Sequence, residues 1–340
     1  MGAGASAGFG VKATVVKTDG DFENPEIERS IFARAGFDLV ELHGPPPVEE
    51  LVERARDADA LMVLACRVGR DLLEQLPRLR VVARYGVGID TVDVEAATTA
   101  GVCVTYVPDY CVDEVSAHAV ALMLAVWRKL LVLRGVASGG TFPAMEAARP
   151  VHRLAGSRVG LVGFGVLGQA VARKLAGFDV EIVATDPKVP ADEFASHGVA
   201  GIGLNELLET SDVISIHTNL TPATFRLIGA EELSRFKRGA ILINTARGAV
   251  VDQASLVRAL RDGRLGGAGL DVVEKEPPDP DDELLHLENV IVTPHVGAYS
   301  EEAIAALQER AATSVVDVLS GVEPQHLADP SVWESRRESR

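Results

Sequence analysis

Three ionisable side chains in the second half of this 340-residue chain stand in short stretches that suit chemistry. They are Arg247 in "INTARGAVVD", Glu276 in "GLDVVEKEPP" and His295 in "VTPHVGAYS". Singly, each has an ordinary reading: a surface ion pair for Arg247, a solvated loop charge for Glu276, a hydrogen-bonded structural imidazole for His295. A metal-ligand reading of His295 lacks a second ligand at suitable spacing, so no metal is expected. Together they supply a fixed cation, a carboxylate and an imidazole, the set that reduction of a keto acid requires. Hydride transfer to a carbonyl carbon leaves an alkoxide that needs a proton, and histidine, with an unperturbed pKa of about 6.5, suits that task. A neighbouring Glu276 carboxylate would favour imidazolium and hold one tautomer. Arg247 would clamp a substrate carboxylate and polarise its carbonyl.

The hydride source is signalled in "RVGLVGFGVLGQAVARKLAGFDVEIVATD". Gly163, Gly165 and Gly168 form a G-x-G-x-x-G turn between an apolar strand and a helix that opens with Val166 and Leu167. The first glycine permits the tight turn, the second lets backbone approach a pyrophosphate, and the third allows close packing of helix on strand. The helix N-terminus offers free N–H groups to the phosphates. Asp186 follows the next strand, 18 residues past Gly168. A carboxylate there accepts bonds from ribose hydroxyls and repels a 2′-phosphate, which predicts NAD over NADP. Lys188 is read as a solvated surface lysine.

Positioning these groups requires a layered scaffold. Short β-branched runs alternate with helical stretches, which predicts an α/β protein of two Rossmann-like, doubly wound parallel-sheet domains. The first series of strands is 13–16, 60–64, 81–84 and 102–105, with helices over 26–35 and 48–55. The second is 158–162, 180–185, 213–217, 240–244, 267–270 and 290–293. Arg247, Asp271, Glu276 and His295 follow strands of that second series, where open sheets place ligands. A helix over 113–133 is too apolar for an exposed linker and is read as a buried connection. A last helix, about 301–319, is read as crossing back to the first domain. The expected organisation is a discontinuous substrate domain (11–112 and 301–330), an inserted NAD domain (113–300), and flexible tails at 1–10 and 331–340.

Composition narrows the class further. A net charge of −16 opposes nucleic acid and anionic membranes as partners. Cys66, Cys103 and Cys111 are odd in number and widely spaced, which fits reduced thiols in a cytoplasmic protein. The start "MGAGASAGFG" has no secretory character; its match to a myristoylation pattern at Met1–Ser6 is read as a flexible tail. No membrane span is expected, because His118, Arg128 and Lys129 interrupt the most apolar stretch.

Five ordered motifs carry a resemblance: "RYGVGID" (84–90), "GFGVLG" (163–168), "INTARG" (243–248), "LDVVEKEP" (270–277) and "TPHVGA" (293–298). Over about residues 45–320 the chain resembles the D-isomer-specific 2-hydroxyacid dehydrogenases. That resemblance implies a small 2-keto/2-hydroxy acid as substrate and a homodimer formed through the NAD domain. It implies Arg247 for substrate orientation, Glu276 for tuning the histidine, and His295 as proton donor. Thr245, Ala246, Arg247 and Asp271 would lie at the nicotinamide end with His295 and Gly297, and His217 and Thr218 of "HTNLTP" would line the cofactor cleft. Backbone N–H groups of Tyr85, Gly86, Val87 and Gly88 would hold the substrate carboxylate. The wording "VPDYCVDEVSAHAVALML" and "HVGAYSEEA" is similar to the corepressor-like branch, which usually carries tryptophan where this chain has Ala298. The rival reading is therefore an NAD(H)-sensing binding protein with little turnover. Cys111 and His118 are read as core residues.

Overall fold

The computed structural model describes residues 12–44, 46–142 and 145–338. The chain forms two compact units, one drawn from the chain up to Tyr110 together with the chain from Ser300 onward, the other Cys111–Tyr299. The expected tail at 1–10, with the Met1–Ser6 pattern, lies outside the described residues.

The first unit is a five-stranded parallel sheet in the order β2-β1-β3-β4-β5. Its strands are β1 (Thr14–Lys17), β2 (Asp38–Glu41), β3 (Ala60–Val63), β4 (Val81–Arg84) and β5 (Cys103–Thr105). β3 reads Ala-Leu-Met-Val and is buried throughout, as a central parallel strand covered on both faces must be. One face packs Val16, Leu61 and Val82 against Leu51 and Leu73. The other packs Val15, Met62 and Ala83 against Phe32 and against Leu307, Ala311 and Val315 of the helix Glu301–Leu319. Those three residues recur every four positions, so one stripe of that helix meets the sheet.

Two expectations need correction here. Asp38–Glu41 is a strand that the apolar pattern does not announce, because "DLVE" sits half-exposed at the sheet edge with a carboxylate at each end. The segment 331–338 is not a loose tail. Val332–Ser335 is helical with Val332 buried, and Arg337 donates from Nη1 to the carbonyls of Leu76, Pro77 and Leu79 at 3.0–3.2 Å. A guanidinium that satisfies three carbonyl oxygens pins a polar segment which composition alone reads as frayed.

The second unit is a seven-stranded parallel sheet in the order β12-β11-β10-β9-β6-β7-β8. The strands are β6 (Arg158–Val162), β7 (Glu181–Thr185), β8 (Ala200–Gly201), β9 (Val213–Ile216), β10 (Ile241–Asn244), β11 (Gly267–Leu270) and β12 (Val290–Val292). The order reverses between β6 and β9, which makes their carboxyl ends the switch point where such sheets bind ligands. The helix Val112–Trp127 buries Leu122 and Val126 against β11, each worth about 1.5–3 kcal/mol. It comes that close because β11 carries glycine at 267 and 269. A Cβ at Gly267 would stand 2.8 Å from Val126 Cγ1, and one at Gly269 3.0 Å from Leu122 Cβ.

This helix stops at Trp127 instead of running on to 133. Arg128 and Lys129 end the apolar stripe, Lys129 turns left-handed at φ 54, and a second helix, Leu130–Ser138, starts with no buried residue. Among the described residues, no helix is long and apolar enough to cross a membrane.

Candidate active site

The glycine turn leaves β6 with Gly163 at φ 96, a conformation L side chains rarely adopt. A Cβ there would stand 2.8 Å from the carbonyl of His217 and 2.9 Å from Thr218 N, so the turn lies directly against the end of β9. A Cβ at Gly168 would overlap the Gly163 carbonyl, which fixes glycine at that contact of helix on turn. Gly165 differs: nothing lies within 4 Å of its Cβ position, and it precedes the helix Val166–Leu175, whose start has no side-chain cap. Val166 is exposed there and Leu167 half-buried. The helix start therefore presents uncapped N–H groups to open space, as a pyrophosphate requires. Asp186, past β7, takes the Phe164 N–H at 3.0 Å and the Lys188 N–H at 2.9 Å.

Two buried polar atoms at this sheet edge have no partner among the described residues: His217 Nδ1 and Thr245 Oγ1. Unpaired buried groups of this kind point to a polar ligand, and with the open cradle at Gly165 they fit a dinucleotide. His217 Nε2 meets Ser215 Oγ at 2.9 Å, and burial pushes the imidazole down to about 4. The folded value lies below the unfolded value of about 6.5, so the unfolded chain takes up the proton first and stability falls as pH drops through that interval. Between pH 7.5 and 5.0 the loss is about 2 kcal/mol. His217→Gln, which cannot titrate, should flatten that part of the melting-temperature curve by the matching amount. Parallel wild-type and variant curves would show that His217 is not held neutral.

The "INTARG" loop leaves β10 with its shape set by Asn244. Its buried amide donates to the Arg247 carbonyl at 2.9 Å and accepts from Ala246 N–H at 3.0 Å. Arg247 Nη1 donates to the Ala246 carbonyl at 2.8 Å. Gly248 presses onto the loop after β11, since a Cβ there would overlap the Val273 carbonyl. That contact brings the Arg247 loop beside the one carrying Glu276. Asn244 and Gly248 both lie within "INTARG", yet neither is charged or nucleophilic, so nothing in the sequence singles them out.

Glu276 accepts from Val273 N–H at 3.1 Å with Oε1 and meets His295 Nδ1 at 2.6 Å with Oε2. Burial raises the Glu276 carboxyl, yet the His295 hydrogen bond and charge, the Val273 N–H and the Arg247 charge together hold it below its ordinary value. His295 Nδ1 is thereby occupied, and among the described residues its Nε2 has no partner. The side chain is about half exposed, at 48%. Its backbone is left-handed at φ 52, uncommon for a residue with a Cβ, and is held by its own N–H on the Asp271 and Thr293 carbonyls.

Asp271, expected at the nicotinamide end, directs its carboxylate onto the loop after β12. Its buried carboxylate accepts from Thr293 O–H at 2.6 Å, Val296 N–H at 2.9 Å and Gly297 N–H at 2.8 Å, so it faces into the His295 loop. Gly297 is likewise committed to that loop. In the first unit, Tyr85 and Gly86 also depart from expectation. Tyr85 N–H donates to Val63 O, its hydroxyl donates to the buried Glu28 at 2.8 Å, and Gly86 N–H donates to Arg84 O. Packing has taken both residues' donors; Val87 and Gly88 N–H groups have no acceptor among the described residues and so carry that expectation alone.

The second unit thus gathers a dinucleotide cradle at β6, β7 and β9 and an Arg–Glu–His set after β10, β11 and β12, along one edge of one sheet. Known proteins match this chain across both arrangements. The NAD binding domain of the D-isomer-specific 2-hydroxyacid dehydrogenases matches residues 120–297. A glyoxylate reductase of Korarchaeum cryptofilum is 39% identical over 306 residues, 88% of this chain and 91% of its own length. A glycerate dehydrogenase of Methylorubrum extorquens is 37% identical over 83% of this chain and 88% of its own. The crystal structure of the TT0316 protein from Thermus thermophilus superposes with a TM-score of 0.82 at 35% identity, over 93% of this chain and 100% of that one. Extended identity and a dinucleotide cradle on one sheet with an Arg–Glu–His set place this chain in the D-isomer-specific 2-hydroxyacid dehydrogenase family, as an NAD-dependent oxidoreductase.

Proposed function

We propose that the protein reduces a short 2-keto acid to its D-2-hydroxy acid, with His295 as proton donor, Glu276 as its partner and Arg247 orienting the substrate. The observation that carries this is the 2.6 Å contact of His295 Nδ1 with Glu276, which leaves Nε2 open on the cradle's sheet edge. When bound, NAD(H) supplies or accepts the hydride. The chain's residues do the rest. Arg247 pairs with the substrate carboxylate and draws charge toward the carbonyl oxygen. His295 Nε2–H gives its proton to that oxygen, and Glu276 stabilises the imidazolium from which it comes. Gly163, Gly165, Val166, Leu167, Gly168, Asp186, His217, Thr218, Thr245 and Ala246 hold the cofactor. In the first unit, taken by itself, the open N–H groups of Val87 and Gly88 suit a carboxylate.

The named activities of the relatives support a two- or three-carbon acid, glyoxylate or the keto form of glycerate. Incubation with NADH and glyoxylate, pyruvate, hydroxypyruvate or phosphohydroxypyruvate tests this, with loss of NADH as the readout. Turnover of at least one acid is expected, with NADH preferred over NADPH by about tenfold or more through the Asp186 carboxylate. NADH binding without turnover of any acid would favour the NAD(H)-sensing reading instead. Preference for NADPH would remove Asp186 from cofactor choice.

A homodimer through the second unit belongs to the same proposal. It is supported by exposed Leu130, Leu131, Phe142 and Met145, an apolar surface that water disfavours. Buried Cys66 and Cys103, neither in a disulfide, support a cytoplasmic location.

A further inference from the structure

The loop that presents His295 is built around one buried anion. Asp271 receives Thr293, Val296 and Gly297 on its carboxylate and the His295 N–H, at 2.8 Å, on its carbonyl. One residue therefore holds a five-residue turn whose histidine backbone is left-handed. Among the described residues, His118 is the one ionisable side chain within ion-pair distance of this carboxylate, its Nε2 lying 3.4 Å from Asp271 Oδ1. The same Nε2 lies 2.9 Å from Thr293 Oγ1.

The single hydroxyl proton of Thr293 fixes the donor and acceptor roles. Thr293 has one hydroxyl proton, and the 2.6 Å contact with Asp271 Oδ1 takes it, because two acceptors would not approach so closely. Thr293 Oγ1 can then only accept from His118, so His118 carries its ring proton on Nε2. The order of donation is His118 to Thr293 to Asp271, and Asp271 faces the loop. Gly297 makes room for this arrangement: a Cβ there would stand 2.8 Å from Asp271 Oδ2 and 3.2 Å from His118 Cδ2.

We infer that His118, on the helix Val112–Trp127, is a positioning residue for His295, acting through Thr293 and Asp271 with the N–H at Nε2. The inference rests on His295 being the proton donor. It predicts that the N–H matters as well as the ring's bulk, which separates it from an ordinary core histidine.

The test compares His118→Leu, which fills similar space without a donor, with His118→Gln, whose amide N–H reaches a similar place. The leucine variant should lower kcat about tenfold through a misplaced imidazole, with NADH affinity within about twofold, and the glutamine variant should recover most of the loss. Thr293→Val should resemble the leucine variant, and combining the two should add little, since both break one chain of hydrogen bonds. The nitrogen resonances of the His295 imidazole, recorded without any keto acid, should shift in His118→Leu and stay in His118→Gln. Wild-type kcat in the leucine variant, or equal loss in both variants, overturns the inference. If the wild-type protein turns over no keto acid, the functional reading fails and the resonances alone decide. Shifted in leucine only, they uphold the brace; unshifted, they overturn it.

Discussion

Replacing His295 by asparagine should lower kcat for keto-acid reduction by about 10²–10⁴-fold while NADH affinity stays within about twofold. Asparagine is the sharper choice because it tolerates a left-handed backbone, and His295 sits at φ 52. The loop held by Asp271 then survives, and what is lost is the imidazole, with its proton and its contact to Glu276. His295→Ala should give the same fall with more disturbance of the turn. The residual rate would come from bound and oriented reactants, which the variant leaves in place. Glu276 stays ionised across the neutral range, because its carboxyl is held below its ordinary value. A fall in wild-type rate above neutral pH would therefore not come from Glu276. Steady-state kinetics with fluorescence titration of NADH checks the pair of outcomes. Turnover near the wild-type level in the asparagine variant would remove His295 from proton transfer.

Much of this site is legible in sequence because its chemistry requires particular side chains at particular turns. Gly163 and Gly168 stand where a Cβ would strike His217 or Gly163 itself, so the spacing already states a packing constraint. Arg247, Glu276 and His295 each follow a strand, and parallel strands bring their carboxyl ends to one edge. Direction is what sequence does not carry. Asp271 and His295 are 24 positions apart, and nothing in that interval says that the aspartate turns toward Thr293 and Gly297 and not toward a ligand. His118 reads as core from its apolar neighbours, and only the fold brings its Nε2 to Thr293. Tyr85 reads as part of a substrate loop, yet Glu28 and Val63 claim its polar groups.

The same limit applies to elements. β3 announces itself through four consecutive apolar residues, whereas β2, at the edge with carboxylates at both ends, depends on pairing with β1 from Thr14 to Lys17. The break at Lys129 falls at two basic residues that the sequence shows plainly, but charge alone does not say whether a helix ends there or runs on. Arg337 holds its polar segment through carbonyl groups some 260 residues earlier in the chain, a pairing no local pattern can show.

Arg247→Lys should lower kcat/KM for the keto acid by about 10²–10³-fold, although the charge is kept. Lysine offers a point charge in place of a planar fork, so it loses the paired hydrogen bonds that align a carboxylate and its adjacent carbonyl. The loop around position 247 has supports besides the guanidinium's own bond to the Ala246 carbonyl. Asn244 holds the loop through main-chain atoms of Ala246 and Arg247, and Gly248 packs on Val273, so neither support depends on the guanidinium. NADH affinity should therefore change by less than about threefold, and the loss should fall mainly on keto-acid KM, with a smaller fall in kcat from poorer carbonyl alignment. Arg247→Ala extends the test. Added guanidinium ion should restore part of its rate, and ammonium of equal concentration should restore less, because only the former reproduces two parallel donors. Equal rescue by both ions would reduce Arg247 to a source of positive potential. An unchanged kcat/KM in either variant would place the substrate carboxylate elsewhere.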